Sequence, residues 1–376
     1  MNPSSETREV IEQGLRDYMR KKAKHSLRTN SIQLKNLGIS LRLDVPDFGV
    51  TEIRTVLYQD GQPSENDTGI LDVLYSHLRY RHSTPSGRNT DELSILRQCI
   101  SEVRTIALFF PDIRDTNIRT CMAAILGTLC SIDDIIEDMM PDEATVVLHH
   151  SIQTLREECY SCSSQHAFVQ YFIAFKQHCS TQLSKEVARR FFGSVCIILE
   201  ALLDEIKFSQ GDLPYNLETY MSIRRRTIGM APFFTLARSM LEIDDHQWST
   251  EIMEMESDVC AMLGLQNDLV GLEKDIRAKE KMNAVFVNVA QIVGQTIYAG
   301  DDATLQAATN NICALHNHLM RRVLERHANI QQRATGTPGH AFECRVADMQ
   351  LMATETHLKW CTMAKRYHLI PELHMI

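Results

Sequence analysis

Residues 118–138 read IRTCMAAILGTLCSIDDIIED, and the reading of this stretch decides the fold. Ile118, Met122, Ile125, Leu129, Ile132 and Ile136 recur at spacings of three and four, the period of an apolar stripe on an α-helix. The run ends in Asp133, Asp134, Glu137 and Asp138, and Pro141 stops it shortly afterwards. At about 3.6 residues per turn, Asp133 and Glu137 share one face and Asp134 and Asp138 the adjacent one. Carboxylates so close repel one another, and the negative end of the helix dipole adds to the repulsion. A cation relieves it. Oxygen-only ligands favour a hard ion such as Mg2+, which takes one or two carboxylates and completes its shell with water or phosphate oxygens. A solvated helix end is the plain alternative, but the apolar residues on several faces point to a buried helix.

Helical periodicity extends along the chain. It returns at Val195, Ile198, Leu199 and Leu202, and again at Val259, Met262, Leu263 and Leu269. Breaks rich in Gly, Pro, Ser, Asn or Asp fall at 59–68, 83–90, 209–216, 300–302 and 334–339, none long enough for an interdomain linker. Strand signals are confined to an ambiguous patch at Ile39–Leu43. The expectation is an all-α fold of about ten or more helices forming a single domain over residues 1–376, with residues 1–110 supported by helical pattern and length alone.

Of 376 residues, 39 are Lys or Arg and 48 are Asp or Glu, a formal net charge of −9 with no basic block, so a nucleic-acid partner is not expected. An anionic ligand would need positive charge supplied locally, by a few arginines or by metal ions. Met1–Asn30 is polar and charged, unlike a secretory signal, and no stretch has the roughly 18 apolar residues of a membrane span. Eleven cysteines in such a context read as reduced, buried thiols of a cytoplasmic protein. Cys159 and Cys162 stand alone as a pair, so a structural role is expected, and His316 and His318 face different ways on a helix and are expected to be surface or packing residues.

A second polar constellation stands at Gln266-Asn267-Asp268-Leu269-Val270-Gly271-Leu272-Glu273-Lys274-Asp275. Asn267, Gly271 and Asp275 lie at i, i+4 and i+8, so one helical face presents an amide oxygen, a gap and a carboxylate, a second half-site for a hard cation. Lys274 adds a compact charge suited to a phosphate oxygen. The pair DDxxED and NDxxGxxxD, in this order, resembles the two metal-binding motifs of class I terpene synthases. The likeness is greatest to the fungal-type sesquiterpene cyclases of the trichodiene synthase kind. Two further elements agree. Arg224-Arg225-Arg226-Thr227-Ile228-Gly229 stands where the family carries its diphosphate-sensing arginine, and Arg366-Tyr367 matches its terminal Arg-Tyr pair. Family spacing makes Arg225 the sensor and Gly229 the effector.

The resemblance implies a helical bundle that binds a prenyl diphosphate with three Mg2+ ions, for which Mn2+ can substitute. Asp133 would bridge two metals with support from Glu137 or Asp138, and Asn267 and Asp275 would hold the third. Gly271 replaces the usual Ser or Thr, so a water would take that ligand's space; Asp275 replaces the usual Glu and is one methylene shorter. Arg225, Lys274, Arg366 and Tyr367 would bind the diphosphate. Departure of that group leaves an allylic cation, which needs a dry apolar cavity with aromatic faces worth about 0.5–2 kcal/mol each. Trp360 is the first candidate, with Phe109 and Phe110 behind it. A helix break at Gly229 and Pro232 would free carbonyls beside the sensor.

Farnesyl diphosphate is the favoured substrate, with C10 and C20 donors open; so is the choice between monomer and homodimer. Asp134-x-x-Glu137-Asp138 also fits the DxxED motif of head-to-head prenyl synthases. A chain-elongating transferase would carry two DDxxD motifs, and Asp244-Asp245 and Asp301-Asp302 lack the third carboxylate. A non-catalytic helical relative is the remaining alternative.

Overall fold

In the computed structural model, residues 27–48, 58–59, 62–63, 69–85, 90–157, 166–240, 248–294, 302–333 and 338–363 are described. The side chains of residues 58, 59, 62 and 63 and of Asp134, Glu137, Pro338 and Met363 fall outside the description, as do all of Cys159, Cys162, Arg366 and Tyr367.

The acidic helix forms as its pattern requires. α3 runs Thr116–Glu137, and its first turn is capped by Asp115, which accepts a hydrogen bond from Ile118 N at 2.9 Å. Met122, Ile125 and Ile132 are buried, and the chain leaves the helix at Asp138 before Pro141 opens α4 (Pro141–Arg156). α3 packs on α1 (Ile70–Ser83), α2 (Glu92–Phe109), α5 (Ala167–Ser180) and α8 (Ala231–Ser239).

The second motif lies on α9 (Thr250–Ala278), which is buried on nearly every face between α7 (Leu217–Thr227), α10 (Ala284–Val293), α11 (Asp302–Gln332) and α12 (Pro338–Met363). A helix so enclosed is apolar almost all round, and the few polar side chains it buries must find partners. α6 (Lys185–Gln210) closes the remaining side against α4, α7 and α8. Among the described residues no helix is long and apolar enough to cross a membrane.

Among the described residues the fold is helical apart from two small antiparallel ladders. The patch at Ile39–Leu43 belongs to strand β2 (Ile39–Pro46), which pairs antiparallel with β1 (Leu27–Leu34). Leu41, Leu43 and Val45 alternate inward onto α11 and α12. Asn36 at the hairpin turn donates from N and Nδ2 to the Glu273 carboxylate at 2.8 and 2.7 Å. Residues 58–59 and 62–63 form a further, two-residue ladder. Cooperative docking on helices 237 residues or more away in sequence stabilises the hairpin, which local propensity in β1 does not foretell.

Candidate active site

A cavity of about 270 Å3 opens between the two motif-bearing helices. Asp133 reaches it from α3, and Asn267, Lys274 and Asp275 reach it from α9. Asp133 of the first constellation and Asn267, Lys274 and Asp275 of the second thus face one space. Arg224 enters from α7 and Glu205 from α6. The rest of the wall is mostly apolar, with Leu126, Leu129, Ile198, Phe233 and Trp360 among its side chains. Phe109 joins them, its ring edge-on to Trp360 with centroids 6.1 Å apart. Phe110 is buried in the core instead, stacked on Phe233 at 6.0 Å.

The register of the arginine triplet is decided by α7. Arg224, not Arg225, lines the cavity. Arg225 is exposed; its Nε donates to Met221 O in its own helix at 3.1 Å and its guanidinium meets Ser257 Oγ at 3.4 Å. Adjacent helical residues point about 100° apart, so the two cannot share a target. Arg224 is clasped by Asp268, with Nε and the terminal nitrogen each 3.0 Å from Oδ1. Asp268 Oδ2 accepts from Tyr220 Oη at 2.6 Å and from Ala284 N at 3.1 Å. The Asp of the second motif, which lines the cavity beside Asn267, is therefore committed to protein partners. Gly264 lets the arginine pass: a Cβ there would stand 2.9 Å from Arg224 Cγ.

Gly271 is buried on α9 and does not line the cavity; Asp138 is exposed at the end of α3 and does not line it either. For Glu137 only the backbone is described, and Arg366 and Tyr367 lie outside the described residues. Gly229 lies in the break between α7 and α8 with φ of +78°, and a Cβ on it would stand 2.7 Å from Leu129 Cδ1 of α3. Only glycine combines that conformation with that approach. Its neighbours Ile228 and Met230 do face the cavity, and Pro232 follows within the first turn of α8.

The electrostatics ask for a cation. Burial pushes the Asp275 carboxyl up to about 6, against the opposing hydrogen bond that Asn283 Nδ2 donates to it at 2.8 Å. Burial likewise pushes Glu205 up to about 7; Thr227 and Arg224 oppose the rise, and the charges of Asp133 and Asp268 add to it. Glu205 is an acid that the motifs do not announce. Its signal was an acidic residue at i+7 and i+3 from Ile198 and Leu202, on the apolar face of α6. The acidic and amide donors of the two motif helices on this wall, Asp133, Asn267 and Asp275, are oxygens, with Arg224 and Lys274 as the described cationic side chains opposite them. That set fits a hard divalent cation, which would hold the carboxyls ionised.

Comparison with known proteins agrees with this reading. Residues 125–322, which span both constellations, match the family model described as terpene synthase family 2, C-terminal metal binding. No curated protein sequence matches the chain significantly. Among solved structures, the chain is similar to the linalool/nerolidol synthase of Streptomyces clavuligerus bound to 2-fluorogeranyl diphosphate, with a TM-score of 0.60 at 18% identity over 82% of this chain and 99% of that one. It is similar to hedycaryol synthase in complex with HEPES, with a TM-score of 0.56 at 16% identity over 81% and 96% of the two chains. The SVS_A2 protein from ancestral sequence reconstruction superposes with a TM-score of 0.60 at 16% identity, covering 81% and 88%. With the family's metal-binding region spanning more than half of its length, this chain belongs to the terpene synthase family.

Proposed function

We propose that the protein is a Mg2+-dependent terpene cyclase, of the fungal sesquiterpene type, that ionises farnesyl diphosphate and closes the resulting cation into a sesquiterpene. One observation carries this reading: oxygen donors from two separate helices, Asp133 on one side and Asn267 and Asp275 on the other, face a single cavity with Arg224 and Lys274. Asp133, Asn267 and Asp275 are the residues that would hold Mg2+, whose charge, when bound, neutralises the diphosphate and favours its departure. Arg224 and Lys274 donate to phosphate oxygens, Arg224 through a guanidinium already oriented by Asp268. Arg366 and Tyr367 are assigned to the same anion from their place in the sequence.

The apolar wall does the remaining work. It excludes water, and the Phe109, Phe233 and Trp360 rings offer negative faces to a migrating positive charge.

The test is incubation with C10, C15 and C20 prenyl diphosphates and Mg2+, followed by chromatography of the volatiles and assay of released diphosphate. A hydrocarbon or alcohol of unchanged carbon number from the C15 donor is expected. Products of greater carbon number would reveal a prenyl transferase, and no diphosphate release from any donor would leave a non-catalytic relative.

A further inference from the structure

One turn before Trp360, His357 lines the same cavity. It is 3% exposed, and its ring centroid lies 5.9 Å from that of Phe109 and 5.9 Å from that of Trp360. Neither the cation ligands nor the phosphate donors include it.

A buried chain of hydrogen bonds fixes where its proton sits. The chain begins at strand β2, which orients Asn317 of α11: Nδ2 donates to Arg42 O at 3.1 Å and Oδ1 accepts from Asp44 N at 2.9 Å. Oδ1 can only accept, so the His316 nitrogen 2.9 Å away, Nδ1, carries the hydrogen and His316 Nε2 keeps its lone pair. Gln266 Nε2 lies 3.2 Å from that lone pair and also donates to Thr354 O at 3.0 Å. This orientation turns Gln266 Oε1 toward His357, where it accepts from Nδ1 at 2.8 Å. His357 is thereby an Nδ1–H imidazole with a bare Nε2. Among the described residues the partner at Nε2 is the Cys361 sulfur, a weak one at 3.8 Å. Burial holds both rings neutral, His357 down at about 3 with Arg224 and His316 adding to the effect, and His316 at about 4.

A lone pair on a neutral ring among aromatic walls has a chemical use in a carbocation cavity. Hydrogens beside a cationic carbon are far more acidic than an imidazolium, so a weak base suffices, and a neutral one does not repel the cation. We propose that His357 Nε2 is the proton acceptor that ends the cation cascade, with Gln266, His316 and Asn317 fixing the tautomer that leaves it bare. The proposal rests on the cyclase reading above. In the step, a C–H bond next to the cationic carbon breaks, its electron pair becomes the new C=C bond, and the proton passes to Nε2. The imidazolium returns that proton to water when the olefin leaves.

The test compares wild type, His357→Phe and His357→Gln with farnesyl diphosphate and Mg2+, scoring olefin and alcohol per diphosphate released. Because the score is a product ratio, a general loss of activity does not move it. The share of the principal olefin should fall about tenfold or more in both variants, replaced by water-captured and early-terminated products. An unchanged share in either variant, or a wild type that makes alcohol alone, overturns the proposal. Nitrogen-15 histidine spectra of the wild type at neutral pH keep it falsifiable even if neither variant folds. His357 must show a protonated Nδ1 and a bare Nε2, and an Nε2–H tautomer or an imidazolium refutes it. A wild type that releases no diphosphate from any donor fails the cyclase reading instead, a distinguishable result.

Discussion

Gly229→Ala offers a perturbation whose size follows from two independent features of one position. The left-handed backbone, with φ of +78°, costs a residue bearing a Cβ about 1–2 kcal/mol. The new methyl would stand 2.7 Å from Leu129 Cδ1, well inside van der Waals contact, so Leu129 or the α7–α8 break must move at a further ~1–3 kcal/mol. Together these give a loss of about 2–5 kcal/mol in unfolding free energy, read from urea titrations of the purified protein. Gly193→Ala is the control. Gly193 sits exposed within α6 with open space around a would-be Cβ, so alanine there should stabilise by roughly 0.5–1 kcal/mol through helix propensity. Adding Leu129→Ala to Gly229→Ala isolates the clash, and a favourable coupling of about 1–3 kcal/mol should appear in the cycle. A Gly229→Ala protein within about 0.5 kcal/mol of wild type would refute the account of the break, and strict additivity would acquit Leu129.

Arg224→Lys should lower the rate of diphosphate release by roughly 10–100-fold, while Arg225→Lys should leave it within about threefold, since Arg225 lies outside the cavity; comparable losses in both would return the sensor role to Arg225. Asp133→Asn should abolish turnover, a drop of about 10²-fold or more, whereas Asp275→Glu should be tolerated or tighten the Mg2+ dependence; near-normal rates in Asp133→Asn would overturn the ligand assignment. Glu205 and Asp275 titrate at about 7 and about 6 in the fold, above ordinary carboxyls. Their contribution to stability is complete at pH below the unfolded carboxyl range and is lost as pH rises through 6 and 7. In chelator, the melting temperature of wild type should therefore drop more between pH 5 and pH 8 than that of Glu205→Gln, and Mg2+ should restore it; identical pH profiles would remove Glu205 from the charge cluster.

The sequence made the helices and the two polar faces that line the cavity legible because each rests on a local period. Ile118 to Ile136 and Val259 to Leu269 are stripes that only a helix assembles, and carboxylates at i and i+4 share a face wherever the helix goes. What escaped is what depends on rotation about a helix axis or on distant packing. The choice between Arg224 and Arg225 is a turn of about 100°, decided by Asp268 reaching across from α9 rather than by anything within the triplet. Glu205 hid as one acid in a long amphipathic helix, and His357 as one imidazole in a helix already marked by Trp360. The strand β1 lacks an alternating apolar pattern of its own, since its partner strand supplies most of the buried face. His316 and His318 do face different ways, the first buried and the second exposed, as their two-residue spacing dictates.

The hairpin that clasps Asn317 also sets a timetable. Its buried leucines, Leu34, Leu41 and Leu43, are synthesised long before their cover, for the amide that anchors Asp44 lies 273 residues downstream. At about 5–20 residues per second, translation leaves those leucines without their native cover for tens of seconds. A nascent chain must therefore shelter this hairpin, or have it sheltered by a chaperone, until α11 has been made.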